Sequence, residues 1–397
     1  MYRIGQEEIN AVKKVIESGQ LFKINDGPLQ ECMNFELELR EKTGAAYALY
    51  MTCGKAALIS ALIGMGIGPG DEVIVPGYTY IATAMAVLAV GAIPVICECD
   101  ETLTIDVADC EKKISSHTKA IIPVHIQSFP CDMEPLTALA KKHAIKILED
   151  ACQSNGGTYH GKRLGTIGDA GTFSFNFFKI ISAGEGGALL TNDRTIYERA
   201  LIYHDSSAIA FFGNQMDGIH EPTFGGVEYR ANEIQAAIMR EQLKKLDGIV
   251  RDLRHSGKIL RDELGGVMPL LPSHDANGDC NVVFPVRFET RAQAEAFATY
   301  PGVYGTVPIN TGKHVYSNWD CIMEKRGALH PLMDPYKMEA NKNLNHSYSP
   351  DMCPNTLHYL STVCYVGVRP WGDITEAELT AQIKTLKEAY AHALQVK

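Results

Sequence analysis

The chain has 397 residues, 46% of them hydrophobic and 21% charged, with glycine and proline near average use; this excludes a disordered or repetitive protein and suits one large α/β unit carrying a smaller one. Its formal net charge of -10, with lysines and arginines scattered along the chain, leaves no basic field for a nucleic-acid backbone. Eleven cysteines, never spaced C-x-x-C, read as reduced thiols and give no reason to expect zinc or another metal.

Met1 leads directly into an amphipathic stretch from Ile9 to Ile16, without the basic start, apolar run and small-residue cleavage site of a secretory signal, so the cytoplasm is the expected compartment. From Tyr47 to Asn192 short apolar runs alternate with helical patterns. The runs are Tyr47 to Met51, Glu72 to Pro76, Pro94 to Glu98, Ala120 to His125, Ile145 to Leu148, Gly171 to Phe175 and Ala188 to Thr191. Strands alternating with helices predict a mostly parallel sheet with helices on both faces, whose ligands sit at the carboxyl ends of the strands. Ile81 to Ile96, the longest apolar stretch, is interrupted by Gly91 and Pro94 and falls short of the ~20 residues that cross a bilayer, so no membrane anchor is expected.

A strongly helical segment covers Glu233 to Leu246 and continues towards Leu264 as a connector out of the first unit. Beyond it the pattern predicts a strand at Val282 to Val286, a helix at Arg291 to Ala298 and a closing helix from Thr375 to Ala393. Between Gly302 and Pro354 the chain is rich in His, Asn, Tyr, Pro and Trp and has no period, which suits a binding loop or an ordered surface loop equally. The expected division is 1–245 for the large unit and 246–397 for the smaller C-terminal α/β unit.

The block from Leu148 to Asn192 is the most informative. An apolar strand runs into Glu149-Asp150-Ala151-Cys152-Gln153, which puts Asp150 at a strand's carboxyl end, as a turn cap or as a ligand. Further on, Lys179 stands among Phe177, Phe178, Ile180 and Ile181, where an ammonium either snorkels to water or, desolvated, becomes a Schiff-base nucleophile. The loop Ser182-Ala183-Gly184-Glu185-Gly186-Gly187 follows, with more glycines than a plain turn requires.

These residues, with Gly168-Asp169 and Phe173-Ser174-Phe175 between them, resemble the DegT/StrS-type sugar aminotransferases, a branch of the fold type I pyridoxal-phosphate enzymes. The likeness extends through Gly68 to Pro76, Thr79 to Ala84, Gly91 to Val95 and Tyr229 to Ala237. It implies that Lys179 holds the cofactor as a Schiff base and shuttles the proton, and that Asp150 pairs with the pyridine nitrogen. It also implies that Gln153 bonds the ring oxygen, that Tyr80 stacks on the ring, and that Ser174 with the backbone N–H groups of Gly54 and Lys55 holds the phosphate. A homodimer with the site at the subunit boundary is part of the same implication.

Two positions depart from the family pattern. Cys53-Gly54-Lys55 stands where Ser/Asn-Gly-Thr is usual, and Gly226-Val227-Glu228-Tyr229-Arg230 where Gly-x-Asn-x-Arg is usual. Glu228 would then enter the neighbouring subunit's phosphate site, with Lys55 bridging it to the phosphate. The implied activity is transfer of an amino group from glutamate or glutamine to a keto sugar or similar polyol ketone. A lyase, decarboxylase or dehydratase on the same scaffold is the alternative, although the family's deoxysugar dehydratases carry histidine in place of the lysine. A sensory protein on a degenerate fold would not need Asp150, Gln153 and Lys179 together. His220, His314, His330 and His346 are candidate sugar contacts, and His314-x-x-x-x-Trp319 with Asn318 and Cys353-Pro354-Asn355-Thr356 is similar over short stretches to the branch that aminates C8 of an octulosonate sugar.

Overall fold

The computed structural model describes residues 2–212, 218–344 and 347–396. Its strands in chain order are β1 Tyr47–Met51, β2 Glu72–Pro76, β3 Ile93–Cys97, β4 Thr118–Ile121, β5 Lys146–Asp150, the ribbon β6 Thr158–Tyr159 and β7 Lys162–Arg163, β8 Ala170–Ser174, β9 Gly187–Thr191, β10 Val283–Arg287 and β11 Val363–Gly367. Seven of them form one sheet in the order β1-β9-β8-β5-β4-β2-β3. The pairs among β3, β2, β4, β5 and β8 are parallel, while β9 runs antiparallel to both β8 and β1. The sheet is therefore mostly parallel, as the alternation of strands and helices requires.

Successive residues of these strands point to opposite faces, and each face has its own core. Tyr50, Ile74, Ile121, Ile147, Phe173 and Leu190 pack with Phe35, Leu39, Met239 and Leu243 on one side. Leu49, Val73, Val75, Leu148 and Leu189 pack with Leu58, Leu62, Val87 and Leu201 on the other. The strands read as nearly continuous apolar runs because helices cover both faces.

Helix Glu233–Leu264 is one unbroken element of 32 residues, capped by the Asn232 side chain on the Gln235 N–H. The division at 245 and 246, which we propose as a packing boundary, thus falls inside a continuous helix. Beyond it, β10 and β11 pair antiparallel beside the helices Arg291–Thr299 and Glu376–Ala393. Among its described residues, the segment from 302 to 354 contains short 3-10 turns and one four-residue helical turn, Asp320–Met323. Among the described residues no helix is long and apolar enough to cross a membrane.

Two polar clamps fasten the C-terminal part to the sheet. Glu98, buried just past β3, accepts from Asn355 N at 3.1 Å and from Thr356 N and Oγ1 at 2.8 and 2.6 Å, capping helix Pro354–Thr362. His274 reaches Asp100 Oδ2 at 3.0 Å and lies 3.8 Å from Asp132. Burial works to lower the His274 pKa, but the Asp100 hydrogen bond and the charges of Asp100, Asp132 and Glu101 outweigh it and hold it above the usual histidine value. A raised folded-state pKa gives stability that is complete below the unfolded value, ~6.5, and lost as pH rises through the folded value. The gap in melting temperature between wild type and His274→Gln should therefore be widest near pH 6 and narrow steadily above it. A gap that is constant or grows with pH would rule the clamp out.

Candidate active site

Strands β1, β2, β5 and β8 point the same way, so the residues that follow them meet at one edge of the sheet. Asp150 ends β5 and is 5% exposed. Its Oδ1 accepts from Cys152 N at 3.1 Å and its Oδ2 from Thr83 Oγ1 at 2.8 Å, so each carboxylate oxygen is held by one donor. Gln153, a turn further, takes the Gln127 N–H on Oε1 at 3.0 Å.

After β1 the chain turns through Cys53 into helix Gly54–Gly64, where the Cys53 sulfur accepts from Ala56 N at 3.4 Å. Glycine at 54 is required by space. A Cβ there would lie 2.9 Å from both Cys152 Sγ and Ser174 Cβ, closer than such atoms approach. The helix N-terminus, with its unpaired N–H groups and positive dipole end, is thereby pressed against Ser174 at the end of β8. Gly187, opening β9, meets the same need, since a Cβ on it would fall 2.3 Å from the Cys53 carbonyl carbon.

Lys179 lies between β8 and β9 in a loop closed by Phe177 N to Gly184 O at 3.0 Å and Ala183 N to Phe175 O at 3.1 Å. It is half-buried, and its flanking aromatics are not the apolar sleeve that the sequence suggests: Phe177 and Phe178 are 60% and 72% exposed. Phe175, Ile180 and Ile181 supply the buried anchor instead. The Lys179 charge reaches Cys152, whose thiol burial and Asp150 push up, and His314.

His314 arrives from the irregular segment, which pairs with the loop after β2 through Thr79 N to His314 O at 3.0 Å, Ile81 N to Lys313 O at 3.1 Å and the bridge between Tyr78 and Val315. Burial first, then the charges of Lys313 and Lys179, push the His314 pKa down to about 4, while the Thr311 backbone opposes them. A neutral imidazole therefore stands beside the lysine. Tyr80, 43% exposed, has its ring centre 5.5 Å from that of His314 and 5.4 Å from Lys313 Nζ.

The other residues singled out in the sequence fall as follows. Lys55 is exposed at the second position of its helix. Segment 228–230 runs alongside the end of β1 through Thr52 N to Tyr229 O at 2.9 Å, and the exposed Glu228 carboxylate forms an ion pair with Arg230 of its own chain. His220 is a surface neighbour of Glu198, and His330 accepts the Leu332 N–H in a local turn. His346 lies outside the described residues. Trp319, fully buried, donates to the Lys313 carbonyl, and Thr356 serves the Glu98 clamp, so these two act in packing. Thr83 has no role assigned from the sequence, where it stands only within the Thr79 to Ala84 run that carries the family likeness.

A strand-end carboxylate, a helix N-terminus against a serine and a lysine in the following loop fit the ring nitrogen, phosphate and aldehyde of pyridoxal phosphate. The fold and site define a pyridoxal-phosphate-dependent transferase of fold type I. A sequence profile of the DegT/DnrJ/EryC1/StrS aminotransferase family matches residues 2–300, and the chain belongs to that family. Over 218 residues it is 41% identical to a GDP-perosamine synthase of Caulobacter vibrioides, covering 54% of this chain and 57% of that protein. It is 33% identical over 288 residues to an L-glutamine:2-deoxy-scyllo-inosose aminotransferase of Streptomyces lividus, covering 70% of this chain and 68% of the relative. The solved aminotransferase from Psychrobacter cryohalolentis superposes with a TM-score of 0.80 at 26% identity over 99% of both chains.

Gly54→Ala should push the helix start away from Ser174, an overpacking that costs about 1–3 kcal/mol. Titration of the apoprotein with pyridoxal phosphate should show affinity weakened about tenfold or more. Unchanged affinity would mean that the close approach does not serve the phosphate.

Proposed function

We propose that this chain is a pyridoxal-phosphate-dependent aminotransferase that moves the amino group of glutamate or glutamine to a keto sugar or similar polyol ketone in the making of an amino sugar. The observation that carries it is the convergence of Lys179, Asp150, Gln153 and Ser174 on one sheet edge beside the Gly54 helix start. The printed activities of the relatives, an L-glutamine-dependent inosose aminotransferase among them, support the donor and acceptor classes.

When bound, the cofactor supplies an aldehyde that takes up the amino group and a ring that draws electrons from the carbon losing its proton. Lys179 Nζ would hold the cofactor covalently and, once displaced by substrate, carry the proton to and from the substrate carbon. Asp150 would hold the proton on the ring nitrogen, and Gln153 would donate its amide N–H to the ring oxygen. Ser174 Oγ and the N–H groups of Gly54 and Lys55 would bind the phosphate, while Tyr80 covers the ring. His314, neutral and beside Lys179, would meet an acceptor hydroxyl. Glu228 of a second subunit would approach the phosphate together with Lys55.

The same reading includes a homodimer working in the cytoplasm. Phe177 and Phe178 are exposed next to Lys179, and Leu21 and Phe22 are exposed as well, apolar side chains of the kind that a subunit interface would cover. All eleven cysteines are free thiols, as a reducing compartment would keep them. Sedimentation should give about twice the 43.5 kDa chain mass; a fully active monomer would remove the dimer from the reading.

The decisive test is a single half-reaction. Holoenzyme given glutamate or glutamine without acceptor should release one 2-oxo acid per cofactor and stop. Lys179→Ala should abolish both that release and the covalent attachment fixed by borohydride. Asp150→Asn should still bind cofactor and lose at least about a hundredfold in rate, because an amide cannot stabilise a protonated ring nitrogen. Continuous turnover of an amino acid with no 2-oxo acid would favour a lyase or decarboxylase.

A further inference from the structure

Thr83 and Thr79 sit fully buried behind Asp150, on the turn and first residues of helix Ala82–Ala89. Thr83 Oγ1 is 2.8 Å from Asp150 Oδ2, 2.7 Å from Thr79 Oγ1 and 3.2 Å from the Tyr80 carbonyl oxygen. A hydroxyl has one proton to give and two lone pairs to receive. A carboxylate oxygen is the strongest of the three acceptors, so the Thr83 proton goes to Asp150. Thr83 then accepts from Thr79, and the pair forms a directed chain, Thr79 to Thr83 to Asp150.

The opposite oxygen, Oδ1, takes the Cys152 N–H. With one donor on each oxygen, the carboxylate cannot turn about its Cβ–Cγ bond without breaking both bonds. The geometry is set by the fold. Asp150 faces the same side of the sheet as Leu148, where helix Ala82–Ala89 packs, whereas Glu149 faces the other side. Thr83, on the near face of that helix, reaches Asp150 Oδ2 and puts a donor there.

We propose that Thr83, with Thr79 behind it, is a positioning residue for the reaction: it fixes the direction of the Asp150 carboxylate and, by donating to it, sets how strongly Asp150 holds the proton of the cofactor's ring nitrogen. This rests on the reading of Asp150 as the partner of that nitrogen. A packing role alone would require only the shape of the side chain, which valine also has.

The test uses holoenzyme of wild type, Thr83→Val, Thr83→Ser, Thr79→Val and Asp150→Asn, reconstituted with pyridoxal phosphate labelled with 15N in the ring. Thr83→Val should move the 15N signal away from the protonated position and shift the pH profile of the bound-cofactor absorbance. It should also slow 2-oxo acid release about 10- to 100-fold, the effect of losing one hydrogen bond to a charged group, with donor KM changed less than about threefold. Thr83→Ser should restore the wild-type signal, and Thr79→Val should move it in the same direction by less. If valine at 83 does not fold, Thr83→Ala, which also lacks the hydroxyl donor, carries the same expectation and the same refutation. A Thr83→Val spectrum and profile matching wild type, while Asp150→Asn differs, overturns the relay and leaves the Asp150 assignment standing. If Asp150→Asn also matches wild type, that assignment fails and the relay falls with it.

Discussion

The site depends on a carboxylate that takes no part in it. Glu149 is fully buried and accepts four donors: Ile167 N and Gly168 N on Oε1, each at 2.6 Å, and Gly165 N at 2.8 Å and His125 Nε2 at 3.1 Å on Oε2. His125 Nδ1 already accepts the Cys131 N–H, so the ring proton sits on Nε2 and points at Glu149. A buried carboxylate is tolerable only with its lone pairs filled, and here the filling groups are backbone amides of the loop that leads into β8. The end of β5 is thus locked from beneath, and Asp150, the next residue, is presented on the opposite face with little freedom. Neutral threonines complete that placement, and the helix Ala82–Ala89 that covers this face carries no charged residue.

The same economy of space governs the start of helix Gly54–Gly64, which we propose as the phosphate end. Gly54, Ser174, Cys152, Gly187 and Cys53 crowd one another so closely that two of the five positions admit no Cβ. Helix dipole and N–H groups act over the first turn only, so the closeness of the helix start to β8 decides whether they are useful. The sheet order makes this possible, because β9 separates β1 from β8 and its first residue is a glycine.

Much of this was legible in the sequence because the first unit obeys local rules. Glu72–Pro76 and Tyr47–Met51 are bounded as the apolar runs mark them, and the others shift by one to several residues. The reversed direction of β9 was not legible, since a short apolar run looks the same either way. β11 was hidden too: Val363–Gly367 follows a helix without a turn signal and pairs with a strand far away in sequence. In the site, Asp150, Gln153 and Lys179 stood out as chemistry-bearing types in a motif. Thr83 did not, because a threonine in an apolar helix looks like packing until the carboxylate it meets is known. His314 could be singled out but not placed, since its segment has no period and is positioned by pairing with residues 78 to 81.

The two departures from the family pattern take on a different weight in this setting. A free carboxylate about 4 Å from a phosphate charge costs about 4 kcal/mol at an effective dielectric of about 20, which would make glutamate at 228 a poor neighbour for a cofactor phosphate. Glu228 is not free: Arg230, only 16% exposed at its side chain, already neutralises it within the chain. The pair would approach a phosphate as a nearly neutral unit with the guanidinium close behind, and the repulsion falls accordingly. Lys55, exposed and without a carboxylate partner among the described residues, then adds a cation that the usual threonine lacks. At the phosphate, where we propose that both side chains lie, the two substitutions together would leave a charge more favourable than Glu228 alone suggests, so a change that looks disabling one residue at a time would be tolerated as a pair.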